Sequence, residues 1–296
     1  MGKIKTIKRD AYSHPRNCLG LLIILLFAAV SLSQAQTSRF AASYYNRGNE
    51  RYKKGDLDGA IADFDAALTF DPKLARAYTM RGSARYGKGD LDGSIADYTR
   101  AVEINPRLAL AHYNRGKARR DKGDLDGSVT DYTRAIEINP RLSAGYNNRG
   151  NVRREMGELH GALADLDEAI RLESRNAVFY NNRGLVRRVK GDLQGAIADY
   201  DKALKIEPQF VEAYSNRGNV RQDSGDVNGS IADYDLAIKI APTFAKAYGN
   251  RGLAKLFQGN MAGAEKDFEQ CLRLDPKLKP SLEEQIEKAK VRLAGR

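Results

Sequence analysis

Tryptophan is absent from the 296 residues, and histidine (three), cysteine (two) and methionine (four) are scarce. Histidine and cysteine are the usual general bases, thiol nucleophiles and metal ligands, so their scarcity leaves little room for catalytic chemistry. Beyond residue 35 only His112, His160 and Cys271 remain, at no metal-binding spacing. Neither a nucleophile elbow nor a phosphate-binding loop is present. No catalytic residue, metal or cofactor is therefore expected. A single cysteine beyond residue 35 also excludes an internal disulfide there, which fits a bacterial periplasm better than a small stapled secreted domain. Long single-sign charge runs are missing too. With 42% apolar and 29% charged residues the chain has the composition of an ordered protein.

The one uninterrupted apolar run lies early. Lys3, Lys5, Lys8, Arg9 and Arg16 make a basic start, an uncharged stretch follows from Leu19 to Leu32, and Ser33-Gln34-Ala35 offers small residues at a cleavage site. That order describes a signal peptide over 1–35, cut after Ala35, with 36–40 as a short linker. At about 1.5 Å per residue the run reaches only roughly 21 Å, short of a ~30 Å hydrocarbon core. The alternative is an uncleaved inner-membrane anchor over 19–32. The expected location is the periplasm or cell envelope, with membrane contact only through this segment. Cleavage would remove five basic residues and one acid, lowering the net charge from +11 to +7.

The rest of the chain is periodic. Proline recurs at 72, 106, 140, 208, 242 and 276, always in steps of 34, with Ser174 in the one empty slot. Arg-Gly keeps the same step from Arg47-Gly48 to Arg251-Gly252. A period in this range marks a solenoid. Seven units follow: 41–74, 75–108, 109–142, 143–176, 177–210, 211–244 and 245–278. Each reads as two helices, divided by pairs such as Gly55-Asp56, where glycine ends the first helix and aspartate caps the second. Proline closes the unit. Ala60, Ile61, Phe64, Ala67 and Leu68 share one face of the second helix, and small Gly48 would let the two backbones approach. One hairpin cannot bury such a face alone; stacking on neighbours does. Ser281 and Glu284 form a capping-box pair ahead of an apolar stripe at Leu282, Ile286, Ala289 and Leu293. Residues 279–296 are therefore expected to supply a capping helix and tail.

In the third unit Tyr113, Gly116, Ala118, Gly123, Tyr132, Ala135 and Pro140 carry the pattern of a known family. The chain resembles the tetratricopeptide repeat proteins over about four-fifths of its length. It departs from them where the family usually has Leu before the glycine and Tyr three residues after it; here Arg stands at both. The resemblance implies an all-α, right-handed α-solenoid whose concave face, lined by first helices, binds peptides or protein segments.

Two basic columns could suggest a nucleic-acid surface: Arg47, Arg81, Arg115, Arg149, Arg183, Arg217 and Arg251, and four residues on, Arg51 to Lys255. On a helical wheel Arg51 falls within about 20° of core-facing Tyr44, so these columns face the partner helix. Asp63, Asp97, Asp131, Asp165, Asp199, Asp233 and Asp267 recur opposite. A charge-paired ladder is expected, and no nucleic-acid partner.

The slot about 200° from Tyr44 holds Asn46, Asn114, Asn148, Asn182, Asn216 and Asn250, and the face continues through Asn151. Amides there could hold a peptide backbone, as implied by the asparagine ladders of some tetratricopeptide proteins, or could link neighbouring hairpins. A more variable column runs Tyr52, Tyr86, Arg120, Arg154, Arg188, Gln222 and Leu256. Its basic centre invites an acidic peptide, unless Asp121 and Glu155 neutralise it. The expected function is a non-catalytic scaffold that binds protein or extended peptide. The alternative is a passive or self-associating solenoid.

Overall fold

A computed structural model describes residue 34 and residues 36–294. The signal segment therefore lies outside the described residues. Among the described residues the chain is helical with no strand, and no helix is long and apolar enough to cross a membrane. The chain divides into two compact units at Pro106.

The first unit holds α1 (36–53), α2 (Leu57–Phe70), α3 (Ala75–Gly87) and α4 (Leu91–Ile104). The second begins with the hairpins α5 (Ala109–Asp121) with α6 (Leu125–Ile138), and α7 (Ser143–Glu155) with α8 (Leu159–Leu172). It continues with α9 (Ala177–Val189) and α10 (Leu193–Ile206), then α11 (Val211–Asp223) and α12 (Val227–Ile240). It ends with α13 (Ala245–Phe257), α14 (Met261–Leu274) and α15 (Lys279–Ala294).

Each turn is built the same way. The glycine after the first helix adopts φ between 81° and 89°, from Gly55 to Gly259, a conformation that costs a side-chain-bearing residue steric energy. The next residue caps the second helix: Asp56 Oδ1 accepts the Gly59 N–H at 2.9 Å, and Asp90, Asp124, Asp192, Asp226 and Asn260 repeat the bond. The fourth hairpin is the exception, because Glu158 makes no side-chain cap on α8.

The two helices of a hairpin touch where the Arg-Gly glycine meets a buried ring. A Cβ on Gly218 would lie 2.7 Å from Tyr234, and one on Gly48 equally close to Phe64. Leu166 fills the ring position in the fourth hairpin, fully buried. Around this contact sits an alanine core, including Ala60, Ala67, Ala203 and Ala237, all without exposed surface.

Two readings of the sequence need correction. Residues 36–40 are not a linker: they form the first turn of α1, where the Phe40 ring lies 5.4 Å from Phe70. Ser281 does not cap the last helix either. A 3₁₀ turn over Pro276–Leu278 leads straight into α15 at Lys279, and Ser281 Oγ inside the helix accepts from Gln285 Nε2 at 3.1 Å. Pro280 is tolerated because the first turn of a helix needs no N–H donor there.

Helix α15 begins 34 residues after α13, so it occupies the position of an eighth first helix. Leu282 takes the aromatic slot of Tyr248 and packs in the cluster with Cys271 and Leu272. Ile286 stands where every other unit has the close-contact glycine, and it is half-buried against α13 and α14 residues. Gln285 and Ala289 replace the two ladder cations.

Candidate functional site

The charge ladder forms as the pattern implies. Each of Asp63, Asp97, Asp131, Asp165, Asp199, Asp233 and Asp267 is buried. In the fifth hairpin Arg183 donates from Nε (3.0 Å) and Nη2 (2.6 Å) to the two oxygens of Asp199, and Arg187 Nη1 stands 2.9 Å away. Arg149 and Arg153 hold Asp165 in the same manner, as Arg251 and Lys255 hold Asp267. Two-point contact with a planar fork is the strongest form of this pairing.

The first arginine also reaches back to the preceding hairpin. Arg183 Nη1 meets Asp167, Arg217 meets Asp201 and Arg251 meets Asp235, each at 2.6 Å, while Arg149 donates to the Thr133 hydroxyl at 2.9 Å. Beneath the guanidinium lies an aromatic ring three residues earlier, with Arg251 5.4 Å from the Tyr248 centroid and Arg183 5.6 Å from that of Tyr180. Sequence reasoning placed Tyr44 of this slot in the core but missed the stacking, although the Tyr-x-x-Arg spacing was visible. Arg149, Arg183, Arg217 and Arg251 thus each tie together their own ring, their own hairpin and the hairpin before it.

At two rungs the contacts shift the carboxyl group. Hydrogen bonding from Arg47 holds Asp63 below the ordinary carboxylate range, against a smaller opposing effect of burial. Burial pushes Asp131 upward, but hydrogen bonds from His112 and Arg115, with the charges of Arg115 and Arg119, bring it below the ordinary value. His112 is buried in the slot of Tyr44, its Nδ1 3.5 Å from Asp131 Oδ1. Burial raises the Cys271 thiol. Among the described residues no group of three or more His, Cys, Asp or Glu is placed to hold a metal ion.

The asparagine column links hairpins. Asn148 Nδ2 donates to the Tyr113 hydroxyl (3.0 Å), Asn182 to Asn147 Oδ1 (2.8 Å) and Asn216 to Asn181 Oδ1 (2.9 Å). Asn250 donates to Asn219 Oδ1 at 3.0 Å. Asn114 and Asn151 are half-buried on the same face, and Asn46 is exposed. Because the four named amide groups already donate between first helices, fewer donors remain for a ligand than the helical wheel suggests.

The arginine column divides. Arg120 pairs with Glu155, 35 residues on, and Arg188 Nε pairs with Asp223 at 2.7 Å by the same step. The corresponding partner of Arg154 is Val189, which offers no charge and is 61% exposed. The nearest carboxylate to Arg154 is Glu155 at 3.9 Å, itself engaged with Arg120. Arg154 Nε and the Tyr200 hydroxyl are both buried with no hydrogen-bond partner. Half-buried Leu185 precedes Val189 by one turn on α9. Val189 was not singled out from the sequence; the column Asp121, Glu155, Val189, Asp223 shows it once the 35-residue pairing step is known.

A family model described as TPR repeat matches residues 48–89, 82–119, 116–157, 150–188 and 186–225, and tetratricopeptide repeat models match 211–244 and 245–278. The chain belongs to the tetratricopeptide repeat family. No curated protein matches it. Among solved structures it is similar to a tetratricopeptide repeat protein from Parabacteroides merdae, with TM-score 0.69 and 18% identity over 85% of this chain and 99% of that one. It is also similar to PilW, a type IV pilus biogenesis factor, with TM-score 0.63 and 17% identity over 69% of this chain and 94% of that one. The Cut9–Hcn1 hetero-tetramer of APC/C gives TM-score 0.67 and 17% identity over 84% of this chain and 48% of that one. At these identities the likeness concerns the fold.

Proposed function

We propose that this protein is a non-catalytic scaffold of the cell envelope that holds an extended, acidic peptide segment along the first helices of its second unit. The observation that carries the reading is Arg154: a cation without a close carboxylate, beside exposed Val189 and half-buried Leu185. A peptide carboxylate would complete the pair that Glu155 and Asp223 complete on either side. An adjacent apolar side chain would cover Val189. Asn151 is half-buried on a first helix of the same unit, and the amides of Asn148, Asn182 and Asn216 link those first helices. The ladder arginines are turned toward aspartates, which argues against a nucleic-acid surface.

The test is Val189→Asp, which supplies the missing rung from within the chain. Labelled extended decapeptides alternating Glu with Leu should bind the native protein and lose about tenfold in affinity on the variant, with helicity and melting retained. Lys–Leu decapeptides should bind neither. Equal binding of the acidic peptides to native and variant protein would remove Arg154 from the site.

Export rests on the 1–35 segment. N-terminal sequencing of the protein recovered from its host should start at Gln36. The full chain in the membrane fraction would favour the anchor instead.

A further inference from the structure

The two ends of the array differ. At the C-terminal end α15 covers the last hairpin. At the N-terminal end the first rung of the ladder is incomplete. Arg47 binds Asp63 through Nε and Nη2, but no described residue stands on its Nη1. Its side chain is 57% exposed, against 13–17% for its equivalents from Arg81 to Arg251. Beside it Phe40 (45% exposed) and Phe70 (38%) pack with Tyr44 into an apolar patch.

The interior of the chain shows what such a surface accepts. Arg183, Arg217 and Arg251 each take an aspartate from the second helix of the hairpin before: Asp167, Asp201 and Asp235. Three residues after each aspartate comes Ile170, Leu204 or Ile238. Ile170 packs against the cluster of Ala177 and Tyr180, and Leu204 belongs to the cluster that Phe210 and Tyr214 join. Tyr180 is the equivalent of Tyr44, and Phe210 of Phe40.

We infer that the N-terminal face of α1 and α2 docks an amphipathic helix of another protein carrying Asp followed three residues later by Leu or Ile, with the carboxylate on Arg47 and the apolar side chain on Phe40, Tyr44 and Phe70. Charge selects this occupant over two others. A second copy docking face to face would bring Arg47 against Arg47, with Arg39 nearby. Docking head to tail would require Glu269 and Leu272 of α14, and Leu272 is already packed in the cluster with Leu282 of α15. Residues 1–33 of this chain carry five bases and one acid, Asp10, which is followed three residues later by Ser13.

The experiment uses the full chain and a stapled helical peptide with the sequence of residues 226–241, which contains Asp235 and Ile238. Fluorescence anisotropy should show saturable binding. Replacing the peptide aspartate (Asp235→Asn) or the protein phenylalanine (Phe40→Ser) should each weaken it by about tenfold. Phe40→Ser leaves the Arg47–Asp63 pair in place, so the hairpin is retained, and circular dichroism checks this. Binding unaffected by either single change would overturn the inference. So would Phe40-dependent binding to phosphatidylglycerol vesicles without peptide binding, which would make the face a membrane contact. Phe40-dependent dimerisation without peptide binding would assign it to a second copy.

Discussion

Glu158→Asp should strengthen the fourth hairpin, and the size of the effect can be worked from its neighbours. In six hairpins an aspartate or asparagine caps the second helix by accepting the N–H of the glycine three residues on, at 2.8–2.9 Å. Glu158 is one methylene longer, and its carboxylate sits 3.6 Å from Arg153 Nε, leaving Gly161 N–H without that cap. The charge at the helix start is the same in both residues, so the helix-dipole contribution barely changes. What is gained is one hydrogen bond. Asp192, the equivalent cap, is about half exposed, with a side-chain value of 54%, so the gain is about 1 kcal/mol and not the upper end of the range.

Arrays of this kind are coupled mainly between neighbours, so the change should appear first within the fourth hairpin. Hydrogen exchange of the first-turn amides of α8 should slow by about fivefold, the factor that 1 kcal/mol sets. The reciprocal Asp192→Glu should accelerate exchange at the start of α10 by a similar factor. The reasoning is refuted if both swaps move exchange in the same direction or leave it unchanged. The fourth hairpin is the informative place because its weaknesses coincide. Leu166 replaces the packed ring, Ser174 replaces the closing proline, and a groove of about 630 Å³ opens there between Glu173–Ala177 and Ile206–Glu207.

Asp165→Ala should cost about 3 kcal/mol, because it strands Arg149 and Arg153 beside a buried position. A double-mutant cycle with Arg149→Met measures the coupling, and no coupling would remove the ladder from the stability of the hairpin. Acid should destabilise the array through Asp63 and Asp131. Their folded pKa values lie below the ordinary carboxylate value, so their stabilisation is present above about pH 4 and is lost as pH falls below it. A melting temperature that is flat from neutral pH to well below pH 4 would contradict this. High salt should weaken the exposed ladder contacts, such as Arg183 with Asp167, more than the buried ones.

The helices, their pairing and the charge ladder were legible because each depends on residues repeated at one step. Seven copies of Arg, Gly and Asp leave few arrangements that satisfy every copy. The glycine at the third position of each second helix was also repeated but went unread. Its cause is local: a Cβ on Gly195 would lie 2.1 Å from the Asp192 carboxylate that caps the helix. The asparagines show the opposite difficulty. A helical wheel gives the direction in which Asn182 points, but not that the preceding first helix brings Asn147 within 2.8 Å of it. That contact depends on the stacking of hairpins, which no single helix encodes. Val189 was hidden for the same reason, since an exposed valine at the end of α9 becomes informative only when Arg154 is seen to lack its carboxylate.

The end of the array follows from the same residues as its interior. A second helix can approach a first helix only over a glycine, as Gly252 shows, where a Cβ would come within 2.5 Å of Phe268. In α15 that position is Ile286, so no second helix can pack on it in the same way. Retaining the second ladder cation at buried Ala289 would then leave a charge at a packed surface with no aspartate row to receive it, which is costly. The methyl group of Ala289 removes that cost, while Leu282 keeps the aromatic slot filled against Cys271. The cap is thus a first helix with its pairing residues deleted. No such deletion occurs at α1, which keeps Arg47, Gly48 and Arg51 in full. Those residues are used by α2, because Arg47 and Arg51 hold Asp63 and Gly48 meets the Phe64 ring; what sets α1 apart from the later first helices is the exposure of Arg47 and Phe40.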